Sequence, residues 1–205
     1  MPVSIITSGI IVESLPSKAI LSKESIQKHV QDQIDGFRTS ADNYLQFAPM
    51  ATMFGLSLAG VKSRSDFSNE FVLSVKSELL MTAIVSSMKY FINDMRPDNS
   101  TNNTMPSGHT AQAFVSAALL DMEYREISPW ISFGGYLCAT ATGCFRVANN
   151  RHWASDVLIG AGIGVGCVKV VYLTHRYRWG SRPTRVILIP TIYPKGGGVA
   201  FAMKF

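Results

Sequence analysis

Residues 106–121 read PSGHTAQAFVSAALLD, and the reading of this stretch decides the architecture. A polar loop from Asp98 to Thr104 leads into it, and Ser107 is a residue type that caps helix N-termini. Behind Gly108 and His109 run alanines, leucines, Phe114 and Val115 with no further glycine or proline, which predicts an apolar helix over 107–121. Working outward, apolar helical segments fall near 46–61, 70–92, 128–146 and 152–175, and turn-rich linkers separate them at 62–69, 96–105 and 121–129. Upstream, Ser22 to Ile34 carries Ile26, Val30 and Ile34 at i, i+4, i+8 among lysines and glutamates, an amphipathic helix capped by Ser22 or Ser25. After Arg178 the runs 185–194 and 199–205 turn β-branched or alternating, joined by Gly196, Gly197 and Gly198 as in a β-hairpin. The expected fold is one all-α domain, a helical bundle of about five to six helices with a short C-terminal β-hairpin. Its expected parts are an amphipathic segment at 1–44, the bundle at 45–178 and the tail at 179–205.

The chain has 205 residues and a net charge of +5, which favours anionic partners. Nucleic acid is not expected among them, because zinc-finger spacing, a basic region and aromatic/basic recognition strands are all missing from the sequence. Cys138, Cys144 and Cys167 are odd in number and lack CxxC spacing, so neither a disulfide framework nor a zinc site is expected, and all three read as core packing. The apolar start, Met1 to Val12, lacks the basic region and cleavage site of a signal peptide. Charged residues make up 16%, below the usual ~25%. Mean hydropathy is +0.16, between a soluble enzyme and a dense membrane bundle. Ile127 to Phe145 is free of charge and near the ~20 residues a spanning helix needs, while 70–92 carries Lys76 and Glu78.

Three clusters carry chemistry. Lys89 and Arg96 stand seven residues apart before Pro97, so a continuous helix would present both cations on one face at its end. In the second cluster, Ser107, Gly108 and His109 open a helix whose free N–H groups and positive dipole end attract anions. The third holds Arg146, His152 and Asp156. The i, i+4 spacing puts His152 and Asp156 on one helix face, where the carboxylate fixes one imidazole nitrogen and frees the other to attack. Arg146 adds a planar fork for phosphate oxygens. Each cluster alone has a plainer reading, as surface charge, a helix start or a surface ion pair.

Together, Lys-x6-Arg-Pro, Pro-Ser-Gly-His and Arg-x5-His-x3-Asp resemble, in order and spacing, the signature of the type 2 phosphatidic acid phosphatase family. That family also takes in bacterial acid phosphatases and vanadium haloperoxidases. The one departure is Phe145, which stands where the family usually has serine. The resemblance implies that Lys89, Arg96, Ser107, Gly108 and Arg146 hold the phosphoryl group. It further implies that His152 is the nucleophile, Asp156 orients it, and His109 protonates the leaving group. No metal and no cofactor is expected, since the three cations would stabilise the phosphoryl oxygens.

The expected substrate is a phosphorylated lipid, a monoester or diphosphate, and the expected place is the bacterial cell envelope, membrane-embedded with the site facing the periplasm. The alternatives are a soluble exported acid phosphatase, more remotely a haloperoxidase, and a phosphate-binding protein without catalysis. The outward orientation follows from Lys62, Arg64, Arg125, Arg176, Arg178, Arg182 and Arg185 at the end opposite the site. Asp42 to Gln46 reads as ordinary capping or as part of the site's rim, and Asp94 and Arg151 carry no assignment.

Overall fold

In a computed structural model, residues 1–34, 36–176, 185–193 and 196–204 are described, the last two stretches by their backbone. Eight helices occur among them: α1 (Pro2–Ser14), α2 (Lys23–Gln33), α3 (Asp42–Leu45), α4 (Ala48–Leu58), α5 (Phe67–Phe91), α6 (Gly108–Tyr124), α7 (Pro129–Ala148) and α8 (Ala154–Thr174). The five long segments expected from apolar patterning are α4 to α8, with ends moved by a few residues. The helices not expected are α1, the apolar start of the chain, and the four-residue α3. Strands Arg185–Tyr193 and Gly196–Lys204 pair antiparallel. Arg178 and Arg182 lie outside the described residues.

Helices α5 to α8 run alternately up and down, and Leu73, Val115, Leu119, Leu120, Tyr124 and Val168 fill the space between them. The sequence dictates the closest approach. A Cβ on Gly160 would lie 2.7 Å from the Ser107 carbonyl oxygen, and one on Gly164 would lie 2.5 Å from that of Ala111. Only hydrogen at these two positions lets α8 press against α6. At the top of this seam the Ser107 N–H donates to the Asp156 carbonyl at 3.1 Å, which locks two helix N-termini side by side. On its other flank α8 receives α1, where Gly162 sits against Pro2 and Ile6.

Ser22 caps α2 as expected, its hydroxyl accepting from the Ser25 N–H. Along its apolar stripe Ile26 and Val30 are half-buried and Ile34 is exposed, while the buried residue of the helix is Gln27. Its amide donates to the Val147 carbonyl at 3.1 Å and to Asn150 Oδ1 at 2.7 Å, at the C-terminal end of α7. Carbonyls left open at a helix terminus offer a polar docking point that hydrophobic periodicity does not reveal. The cysteine expectation fails in part: Cys167 is buried and Cys138 half-buried, but Cys144 is exposed on the outer face of α7.

The helices long and apolar enough to cross a membrane, among those described, are α5 and α8. Helix α7 is not one of them, because it begins at Pro129 and spends positions on glycines, threonines and Arg146. Glu78 of α5 accepts a hydrogen bond from the Gln112 side chain of α6, so this charge is turned into the bundle and paired.

Candidate active site

All eight residues singled out by the sequence gather at one end of the bundle, where α5 and α7 finish and α6 and α8 begin. Two arrive by a different route from the one expected. Helix α5 ends at Phe91, so Lys89 lies in its last turn while Arg96 lies beyond it. The chain after Ile92 folds back on itself: Asp94 bridges to Asn103, and the Arg96 N–H donates to the Thr101 carbonyl at 3.0 Å. Arg96 is therefore aimed by a loop, and Lys89 is held to that loop by donating to the Asn103 carbonyl at 2.7 Å. Likewise His152 precedes α8 instead of sharing a helix face with Asp156. Asp156 is the third residue of α8 and accepts from the Trp153 N–H at 2.9 Å, as N-terminal acids do. The same Oδ2 faces His152 Nδ1 at 3.4 Å.

Thr104 was not singled out, yet it is fully buried between these two side chains. Its hydroxyl donates to Asp156 Oδ2 at 2.5 Å and lies 3.2 Å from His152 Nδ1. A threonine has one hydroxyl proton, so with that proton on the carboxylate its oxygen can only accept from the imidazole. Nδ1 therefore carries hydrogen and Nε2 keeps its lone pair. Burial pushes the His152 imidazole down to about 4, against the opposing pull of Asp156, so the ring is neutral near pH 7. No periodicity marks Thr104; its only signal was a polar residue closing the loop before Pro106.

Ser107 caps α6, accepting from the Thr110 N–H at 3.4 Å, as expected. A Cβ on Gly108 would meet nothing closer than Val85 at 4.0 Å, so space stands open beside this backbone. His109 Nε2 lies 2.8 Å from Asn43 Oδ1. Burial first and then Arg146 hold the His109 ring below its ordinary value, with Lys89 and Arg96 acting in the same direction. Arg146, in the last turn of α7, donates to Asp42 Oδ2 at 2.8 Å. Asp42 and Asn43 do not cap the first long helix, whose N-cap is Phe47, but meet Arg146 and His109 at the site's rim. The Nε atoms of Arg96 and Arg146 are buried without a hydrogen-bond partner among the described residues. Arg96 is held below its ordinary value by burial and then by Arg146, as two guanidinium groups facing one space must be. The two residues left unassigned become ion-pair partners: Asp94 of Lys23 at 3.2 Å, Arg151 of Asp98 at 3.1 Å.

Converging cations, helix N-termini and a neutral imidazole with a fixed tautomer suit an anion that accepts a nucleophile. The sequence pattern of the PAP2 superfamily matches residues 71–180. The chain is 42% identical over 130 residues to a lipid A 1-phosphatase of Porphyromonas gingivalis, covering 63% of this chain and 29% of that protein. It thus spans about three tenths of that relative's length. A transmembrane PAP2-type phosphatidylglycerolphosphate phosphatase from Bacillus subtilis has a similar fold, with a TM-score of 0.52 at 20% identity over 86% of this chain and 98% of that one. The Aquifex aeolicus LpxE structure aligns with a TM-score of 0.49 at 21% identity, over 82% and 94% of the two chains. By the pattern matched over residues 71–180, more than half of its length, the chain belongs to the PAP2 superfamily.

Proposed function

We propose that this chain is a membrane-embedded phosphatase that hydrolyses phosphate esters of lipids through a phosphohistidine, without a metal. The observation that carries the reading is the buried His152, held neutral with Nδ1 committed to Thr104 and Asp156, next to the cations Lys89, Arg96 and Arg146. His152 Nε2 attacks phosphorus, the ester P–O bond breaks, and His109 gives its proton to the departing oxygen. Water then cleaves the N–P bond, releasing inorganic phosphate and restoring both histidines. The three cations and the N–H groups at Gly108 and His109 meet the charge on the phosphoryl oxygens.

A lipid substrate is supported by the name of the P. gingivalis relative and by the surface of the bundle. Helix α5, 25 residues at about 1.5 Å each, is roughly 37 Å long, enough for a hydrocarbon core of ~30 Å. Its exposed aromatics stand near its two ends, Phe67 and Phe71 at one and Tyr90 and Phe91 at the other. Exposed Trp130 and Phe133 match the first pair, and exposed Tyr44 and Phe47 the second. Trp130 at one end and Tyr44 and Tyr90 at the other are the residue types enriched at membrane interfaces, which supports an embedded bundle. Lys62, Arg64 and Arg125 lie at the end away from the site, which favours a site opening outward.

The test is to replace the nucleophile and trap the intermediate. His152→Ala abolishes phosphate release from a panel of lipid phosphates, and rapid acid-free quenching of the wild type yields phosphate bound to His152. An alanine variant retaining a tenth of the activity would refute the assignment.

A further inference from the structure

A cavity of about 290 Å³ lies against the cradle, with Arg38, Asp42, Asn43, Arg96, Arg146 and Arg151 in its walls. Arg96 and Arg146 belong to the set that the transferred phosphoryl group needs. Asp42 is committed to Arg146. Arg38 and Arg151 are cations in excess of that need. Arg38 donates one N–H to the Phe37 carbonyl and Arg151 one to Asp98, and a guanidinium carries five.

The position of Arg38 is built. On one side of it, the Phe37 ring stacks on Phe145 with centroids 6.2 Å apart. On the other, the Asn149 side chain donates to the Thr39 carbonyl and accepts from the Thr39 N–H, both at 2.9 Å. Phe145 is the position where this chain departs from the family pattern, and a serine there could not supply the stack. The segment carrying Arg38 is thus clamped to the end of α7, at the mouth of the cavity. Asn43 joins the cavity to the reaction, since it lines the wall and its Oδ1 meets His109 Nε2. The cavity therefore lies on the side from which the leaving group departs.

We propose that this cavity binds a second phosphoryl group bonded to the one transferred, so that Arg38 and Arg151 select a lipid diphosphate over a monophosphate. The proposal rests on the hydrolase reading of the site. In the step, the bond from His152 Nε2 to the terminal phosphorus forms and the bridging P–O bond breaks. The bridging oxygen leaves with the electron pair as part of the lipid monophosphate and takes the His109 proton. Water then releases the terminal group as inorganic phosphate. A monophosphate makes the same transfer with Arg38 and Arg151 idle.

The experiment measures binding and turnover separately. A prenyl methylene-bisphosphonate and a prenyl phosphonate of equal chain length are titrated calorimetrically into detergent-solubilised protein. Wild type should bind the bisphosphonate at least about tenfold more tightly, the scale of one charge-assisted hydrogen bond. Arg38→Gln and Arg151→Gln should each remove most of that preference and leave the phosphonate affinity within about twofold, which also shows that they fold. Phe145→Ser, which frees Arg38 without touching its charge, should lose part of it. Equal affinity of wild type for the two probes, preference intact in both glutamine variants, or parallel loss of both affinities would overturn the proposal. A wild type that prefers the bisphosphonate yet frees phosphate from no ester would sustain the subsite and refute the hydrolase reading.

Discussion

Thr104→Val removes one hydroxyl and keeps the shape of the side chain, so its consequences can be worked from the geometry. The hydroxyl serves two partners, Asp156 Oδ2 at 2.5 Å and His152 Nδ1 at 3.2 Å. In the variant the imidazole keeps only the Asp156 contact at 3.4 Å, which is long for a hydrogen bond. Asp156 keeps the Trp153 N–H on Oδ2, while its Oδ1 is already buried with no partner among the described residues. A hydrogen bond to a charged group is worth about 1.5–3 kcal/mol. If that loss falls on the imidazolium-like transition state, kcat drops by about ten- to a hundredfold at ~1.4 kcal/mol per decade. KM should move by no more than about twofold, because Thr104 contacts none of Lys89, Arg96 or Arg146 and only transition-state stabilisation is lost. Thr104→Ser, which keeps the hydroxyl, should recover most of the rate. Phosphate-release kinetics on a lipid phosphate in detergent give both constants. The reasoning fails if the valine variant keeps half the wild-type kcat, or if the serine variant is as slow as the valine.

Other outcomes follow from the same site. His152 must be neutral to attack, and its folded value near 4 lies below the ordinary 6.5, so kcat/KM should fall as pH drops through about 4. His109 must be protonated, and its value lies below 6.5, so kcat/KM should also fall as pH rises through that region; an optimum above pH 8 would contradict the pairing. Activity should survive excess EDTA and be inhibited by vanadate, which mimics a five-coordinate phosphorus; loss on chelation restored by Mg²⁺ would show a metal at work. For the orientation, replace Cys138, Cys144 and Cys167 and introduce Asn102→Cys or Lys62→Cys, both at exposed positions. In intact cells an impermeant maleimide should label only the first; the reverse pattern refutes an outward-facing site.

The long helices were legible because their apolar runs and Gly or Pro boundaries are local properties of the chain. Ser107 could be read as a cap for the same reason, since a cap is decided by four consecutive residues. Lys89 and Arg96 were expected on one helix face, but a helix continues only while its backbone finds partners. Beyond Ile92 the chain instead pairs Asp94 with Asn103 and the Arg96 N–H with the Thr101 carbonyl. His152 and Asp156 meet although no helical turn joins them, because an acid at the third helical position reaches back over its own N-terminus.

What could not be read was set by contacts between residues far apart in the chain. Thr104 matters through a side chain 52 positions later, and Asp42 through one 104 positions later. Neither pairing leaves a periodic trace, since a threonine before Pro106 and an aspartate opening a short helix are ordinary local features. The N-terminal segment shows the point most fully. Its periodicity marks α2 as an amphipathic helix but not the polar contacts that fix it. Gln27 donates to the Val147 carbonyl and to Asn150 at the end of α7, and Lys23 ties Glu13 and Asp94 together beside Trp153. Such contacts are specific because the acceptors at a helix end stand in one geometry only. Asp42, Asn43 and Arg38 belong to the same part of the chain. A phosphoryl cradle built only from α5 to α8 would carry the nucleophile and three cations. The Asp42–Arg146 ion pair and the Asn43 contact to His109 are added from outside that bundle. The segment before α4 thus reaches two side chains of the bundle, Arg146 and His109, that the helices α5 to α8 alone would leave without these partners.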